Sequence, residues 1–202
     1  MNTFSPAIDE RFRAAAAAEG LLDVAYDILA DTPIGPLLVG VTEHGVCRIS
    51  FDPEPERNLE TLARLHGPRV LRVSAPVDRV RRELDEYFAG RRQHFDVQPD
   101  VRAQPAYNQR VLAELARVEY GTTTTYGTLA AQSGNPRAAR AVGTVMNRNP
   151  VPIVLPCHRV VGASGNLTGY AGGLDRKEQL LRLEGALLFA PTPAADIPLP
   201  RR

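Results

Sequence analysis

The chain has 202 residues, 44% of them hydrophobic and 23% charged, with a formal net charge of +1 at pH 7. That length allows one large or two small domains with real cores. No apolar run approaches the roughly 20 residues of a membrane span, and two cysteines cannot build a disulfide framework.

In chain order, "MNTFSPAIDERFRAAAAAEG" has acids and no basic region ahead of its alanines, so it does not read as a secretory signal. The expected compartment is the reducing cytoplasm. Residues 6–19 predict a short helix, with Ser5 as cap and Pro6 in the first turn. Leu22, Val24, Tyr26 and Ile28 alternate as in a strand. After the turn "TPIG", "LLVGV" and "VCRISF" predict a hairpin closed by "TEHG". Cys47, Ile49 and Phe51 fall on one face of its second strand, which makes Cys47 a small core residue. Val77, Val80, Leu84, Tyr87 and Phe88 predict a helix ended by Gly90. The first half, residues 1–103, therefore reads as a small α+β domain with an antiparallel sheet and no chemistry of its own.

A boundary is expected at "DVQPDVRAQPAYN", where the charge changes sign. Residues 1–103 carry 13 Arg against 17 Asp and Glu, a net −4. Residues 104–190 carry 9 Arg and Lys against 5 acids, a net +4. A basic second half points toward a polyanionic partner. This half reads as mostly α-helical. Val111, Leu112, Leu115 and Val118 form one stripe, and "YGTLAAQ" is a short helix. A further helix is expected from Pro136 to Arg148, capped by Asn135. The pair reads as a helix-turn-helix. Ala138, Ala141, Val142, Val145 and Met146 make its inner stripe, and Arg137, Arg140, Thr144 and Asn147 its outer one. Spacing alone leaves open whether that outer face meets nucleic acid or solvent. The tail, residues 191–202, is expected to be disordered.

"IVLPCHRVVG" raises the chemical question. A nucleophilic cysteine needs a neighbour that takes its proton and a group that orients that neighbour. On a regular strand Cys157 and His158 would point to opposite faces, so they could cooperate only at a bend, which Pro156 favours. Glu184 lies near the apolar face of the last helix. There it could partner the histidine or be a surface acid. His44, His66, His94 and His158 show no metal-ligand spacing with the cysteines.

"YGTTTTYGTLAAQSGNPRAARAVGTVMNRNP" and "NPVPIVLPCHRVVGASGNLTGYAGGLDRKEQLLRLEG" together resemble the O6-alkylguanine-DNA alkyltransferases, also called methylated-DNA–protein-cysteine methyltransferases. The likeness is dense over residues 105–188 and loose in the first half. It implies direct DNA repair by a monomer that moves an alkyl group from guanine O6, and also from thymine O4, in flipped-out duplex DNA to Cys157, once per molecule. No metal or organic cofactor is implied. By resemblance, Cys157 is the acceptor, His158 the base acting through a water, and Glu184 the acid that orients it. Asn149 braces the active-site turn, and Tyr126 crowds the target phosphate and donates to the departing guanine. Arg140 fills the gap in the duplex, beside Arg137, Thr144 and Asn147. Val160, Leu167, Tyr170, Ala171 and Gly172 line the guanine pocket, to which Met146 is added. Ala171 stands where a serine is common, and Thr168-Gly169 replaces a Gly-Asn pair. Three other classes fit parts of the pattern: a non-catalytic damage-recognition protein, a helix-turn-helix regulator and a cysteine hydrolase.

Overall fold

A computed structural model describes residues 5–52 and 54–187. The expected C-terminal tail lies outside them. Helix α1 spans Pro6–Ala18. Strands β1 (Val24–Leu29), β2 (Leu37–Thr42) and β3 (Gly45–Ser50) form an antiparallel meander. Then come α2 (Pro55–His66) and β4 (Val70–Arg72), which sequence reasoning did not anticipate. β4 lies parallel to β1, so the order is β3-β2-β1-β4 and the sheet is mixed, not antiparallel as expected. The crossover through α2 makes that parallel pairing possible.

α2 covers one face of the sheet, where Val24, Tyr26, Leu38, Cys47 and Leu62 cluster. The other face joins a larger core that runs through both halves of the chain, from Ala25 and Leu37 to Leu180. Cys47 is core, as expected, but it does not share a face with Ile49, which packs on the opposite side. The cause is a bulge. Gly40 pairs with Arg48, and its neighbour Val41 pairs with Val46. The extra residue on β3 flips the alternation.

α3 (Asp78–Phe88) buries Val80, Leu84 and Tyr87, and Gly90 with φ +69° lets the chain leave it. In the second half, α4 (Ala106–Leu115) buries Val111, Leu112 and Leu115. Two-residue strands β5 (Thr124–Thr125) and β6 (Val160–Val161) pair in parallel. α5 (Tyr126–Gln132) is capped by Thr125, whose Oγ1 accepts from Thr128 N at 3.1 Å. α6 runs Ala139–Asn147, three residues later than expected at its start. Asn135 does not cap it. The Asn135 side chain instead accepts from Arg137 N at 3.3 Å, forming a turn ahead of the helix. Val142, Val145 and Met146 are buried, whereas Ala141 is exposed at the rim and not in the inner stripe. α7 (Leu174–Leu183) closes the fold. Among the described residues, no helix is long and apolar enough to cross a membrane.

Candidate active site

Cys157 opens a one-turn 3-10 helix, Cys157–Arg159, placed directly after Pro156. This is the bend that cooperation between adjacent Cys157 and His158 requires. The approach to it is tightly held. The Asn149 side chain donates to Leu155 O at 2.8 Å and accepts from Val151 N at 3.1 Å, clasping the turn from both ends. Ile49 N of β3 donates to Pro150 O at 2.8 Å, so the N-terminal sheet anchors the same turn. Within it Ile153 has φ +76°, the one non-glycine residue with positive φ among the described residues. A β-branched side chain is strained there, and full burial of Ile153 helps to hold it.

His158 is 0% exposed, and its Nε2 lies 2.8 Å from Glu184 Oε1. Its Nδ1 has no partner among the described residues. Glu184 sits at the C-cap of α7 and is buried, so it is not a surface acid. Four other groups donate to it. Tyr87 Oη reaches Oε1 at 2.7 Å, Arg159 reaches Oε2 through Nε at 2.8 Å and Oε1 through Nη2 at 2.9 Å, and Gly121 N reaches Oε2 at 3.4 Å. Burial alone would raise the carboxyl pKa. The hydrogen bonds from His158 and Arg159 outweigh it and bring the pKa down to about 2. Glu184 is therefore a carboxylate throughout the physiological range.

His158 behaves differently. Burial lowers its pKa, opposed by the Glu184 hydrogen bond. Burial also pushes the Cys157 thiol up to about 11, and the Asn149 side chain and the Lys177 charge only partly offset this. Burial therefore favours the thiol and the neutral imidazole. It works against charge on either partner of the pair, whereas the Glu184 hydrogen bond works for the imidazolium and the Lys177 charge for the thiolate.

Two buried cations were not assigned by sequence. Arg159 is 6% exposed, bridges Glu184 and donates to Val118 O, with its guanidinium 5.8 Å from the Tyr120 ring centre. A guanidinium inside the apolar run "IVLPCHRVVG" needs a buried carboxylate, and that signal could have found it. Lys177 is 0% exposed, and its Nζ donates to Val160 O at 2.6 Å and Thr168 O at 2.9 Å.

A cavity of about 550 Å3 has Cys157 on its wall, with Met146, Asn147, Asn149, Ala171 and Phe51. Tyr170 packs on Phe51, with ring centres 5.6 Å apart. Gly172 is buried beside them, where a Cβ would lie 2.8 Å from Tyr170 and 2.9 Å from Phe51. Larger residues cannot occupy it without moving the pocket wall. Arg176 of α7 donates to Gly172 O at 3.0 Å and to Ile34 O at 2.6 Å, tying this loop to the N-terminal half. Leu167 is half-buried, and Val160 is fully buried. Thr168 Oγ1 donates to Tyr126 Oη at 3.1 Å, linking the loop to the first residue of α5. Arg137, Arg140, Thr144 and Asn147 are all exposed, as the outer stripe expected. The expectation that the N-terminal half holds no chemistry is corrected: Tyr87 touches the Glu184 carboxylate, and Phe51 lines the cavity. Among the described residues, no group of three His, Cys, Asp or Glu is placed to hold a metal.

The model of the 6-O-methylguanine DNA methyltransferase ribonuclease-like domain matches residues 25–100, and that of the DNA-binding domain matches residues 106–186. A methylated-DNA–protein-cysteine methyltransferase of Methanosarcina acetivorans is 40% identical over 161 residues, covering 80% of this chain and 99% of the relative. The solved O6-methylguanine methyltransferase of Mycobacterium tuberculosis is 38% identical with a TM-score of 0.68, covering 83% of this chain and 96% of that one. The same organism's OGT in complex with DNA is 37% identical with a TM-score of 0.64, covering 81% and 92%. Identity of this order over nearly the whole length of the relatives decides the assignment: the chain belongs to the methylated-DNA–protein-cysteine methyltransferase family.

Proposed function

We propose that this protein repairs DNA by moving an alkyl group from O6 of guanine, and also from O4 of thymine, in duplex DNA to Cys157, once per molecule. The observation that carries the reading is the buried chain Cys157, His158, Glu184, with the acid held by five donors beside a cavity that opens on the thiol. The relatives named as methylated-DNA–protein-cysteine methyltransferases, and the solved OGT in complex with DNA, support it.

An O6-alkyl group lies inside the base stack, so the nucleotide must turn out of the duplex. The exposed face of α6 suits the backbone, with Arg140 entering the space the base leaves and Arg137 on a phosphate. The base then enters the cavity between Met146 and the loop of Tyr170 and Ala171. Val160 O spends one lone pair on Lys177 and keeps the other for the guanine amine. Tyr126 Oη accepts from Thr168, which leaves its own proton free to donate to the base.

His158 Nδ1 takes the thiol proton through a water, while Glu184 steadies the imidazolium that forms. The thiolate attacks the alkyl carbon opposite the C–O6 bond. One S–H and one C–O6 bond break, one S–C bond forms, and the guanine gains a proton. Burial pushes the Cys157 thiol up to about 11, which favours thiolate formation once substrate and the bridging water are in place. Water and imidazole cannot cleave the thioether, so the protein is consumed. One monomer acts on one lesion, and a reducing compartment such as the cytoplasm keeps Cys157 able to react.

The test is the intact mass of the protein after mixing with duplex DNA containing O6-methylguanine. The expected result is one added methylene per molecule, confined to the peptide that holds Cys157. An unchanged mass with tight binding would instead indicate a recognition protein.

A further inference from the structure

We propose that Tyr87, in the N-terminal half, is a positioning residue of alkyl transfer: its hydroxyl fixes the Glu184 carboxylate that holds His158. The proposal rests on the relay described above and extends it beyond the C-terminal half.

Tyr87 Oη donates at 2.7 Å to Glu184 Oε1, the same oxygen that faces His158 Nε2 at 2.8 Å. Tyr87 is 0% exposed. Its ring is fixed among Phe88, Phe95 and Tyr120, with centres 5.5, 5.3 and 6.2 Å away. The hydroxyl therefore cannot turn to water. Burial, reinforced by the Glu184 charge, raises its pKa, so it remains a donor.

The charged and titratable surroundings are few. Glu184 faces Tyr87 from α3, Tyr120 from the segment after α4, and His158 and Arg159 from the 3-10 turn. His158 faces Glu184, Arg159 and Lys177 of α7. Arg159 supplies charge on both carboxylate oxygens but also holds Val118 O, so it does not set the carboxylate alone. A donor on Oε1 draws electron density from the oxygen that would otherwise hold an imidazolium proton. Tyr87 thereby does two things. It aims Oε1 at Nε2, and it keeps His158 neutral until the thiol proton arrives.

The experiment uses the full-length chain with Tyr87→Phe, which keeps the ring and removes the donor. Single-turnover transfer from O6-methylguanine duplex is followed from mildly acidic to mildly alkaline pH. The rising limb of the profile, set by proton loss from His158, should move to higher pH. The plateau should fall by on the order of tenfold, as for groups one step removed from a reacting residue. The His158 ring, followed by nuclear magnetic resonance, should titrate in the same direction. A ring-fluorinated tyrosine inserted at position 87, a stronger donor of almost the same shape, should move the limb the opposite way. A limb that stays in place, or a uniform fall at every pH, would mean that Tyr87 only packs the core. Final stoichiometry and thermal unfolding show whether the Phe variant is folded. If it is not, the fluorinated chain carries the test by its opposite shift. Glu184→Gln is run alongside. If it leaves the rate unchanged, the relay itself fails. If it slows transfer while the Tyr87 variants move nothing, the Tyr87 assignment alone fails.

Discussion

The outer face of α6 and the relay behind Cys157 are close in sequence and opposite in physics. On and just before α6, Arg137, Arg140, Thr144 and Asn147 are exposed and open to an incoming partner. In the relay, His158, Arg159 and Glu184 are buried and bonded to one another. Exposed charges act over distances set by salt and give affinity and arrival rate. Buried, prearranged groups act on the reacting atoms and give rate. The comparison teaches that binding and chemistry should be separable by substitution.

The largest separation is expected from Cys157→Ala. Transfer should be abolished, and affinity for alkylated duplex should be nearly unchanged. Intact mass and a binding titration read the two halves of that statement.

Glu184→Gln comes next. It keeps the shape and removes the charge, so single-turnover transfer should slow by roughly 10²–10⁴-fold, with duplex affinity again unchanged. It should also destabilise the fold by roughly 3–5 kcal/mol, because Arg159 is left as an uncompensated buried cation. Chemical denaturation measures this. The pH dependence follows with its sign. Glu184 has a folded pKa of about 2, below its unfolded value, so its contribution is present above the unfolded value and lost as pH falls toward about 2. His158 is also lowered, so its burial as a neutral ring favours folding above its unfolded pKa and opposes folding below it. Wild-type stability should therefore fall in two stages on acidification, and in Glu184→Gln the lower one should shrink, leaving the share of Asp100, which is also held at about 2.

How far the two regions were legible in the chain differs for a physical reason. The α6 face follows from local spacing, and so do the bend at Pro156 and the exact extent of α5. α2 was missed because its buried face is thin. Asn58 takes a core position there, 2% exposed, donating to Asp52 O and Glu54 O and accepting from Arg48, so the apolar stripe is interrupted. β4 has three residues and draws its partner from across a crossover. The bond from Tyr87 to Glu184 spans 97 residues and leaves no periodic trace. The start of α6 was misplaced because Asn-Pro suits a helix start and a turn equally well. The three residues proposed to react do lie together, with His158 beside Cys157 in one turn and 2.8 Å from Glu184, because a cysteine, a histidine and an apolar-face acid can be singled out by residue type alone.

Smaller effects sharpen the contrast from the binding side. Arg140→Ala should weaken duplex binding and slow repair, whereas Arg137→Ala, which removes the phosphate contact, should reduce the slope of log affinity against log salt by about 1. Reaction with the free base O6-benzylguanine, if it proceeds in the wild type, should be hardly slowed by Arg140→Ala. Equal slowing on both substrates would place Arg140 in the pocket or the fold. The smallest effect is expected from Cys47→Ala. Burial raises the Cys47 pKa to about 12, so it should contribute no thiolate. Transfer should keep full stoichiometry, with a stability loss on the order of 1 kcal/mol in a thermal melt.

Lys177 is the chain's single lysine, and its ammonium is folded against the carbonyls of Val160 and Thr168. Amine-directed reagents therefore find no side-chain target on the native surface. Any acylation at Lys177 must wait for the loop after β6 to lift from α7. Its rate, separated from the α-amino group by peptide mass, becomes a clock for local opening of the pocket wall. Duplex carrying a lesion should slow that clock, and undamaged duplex should slow it less.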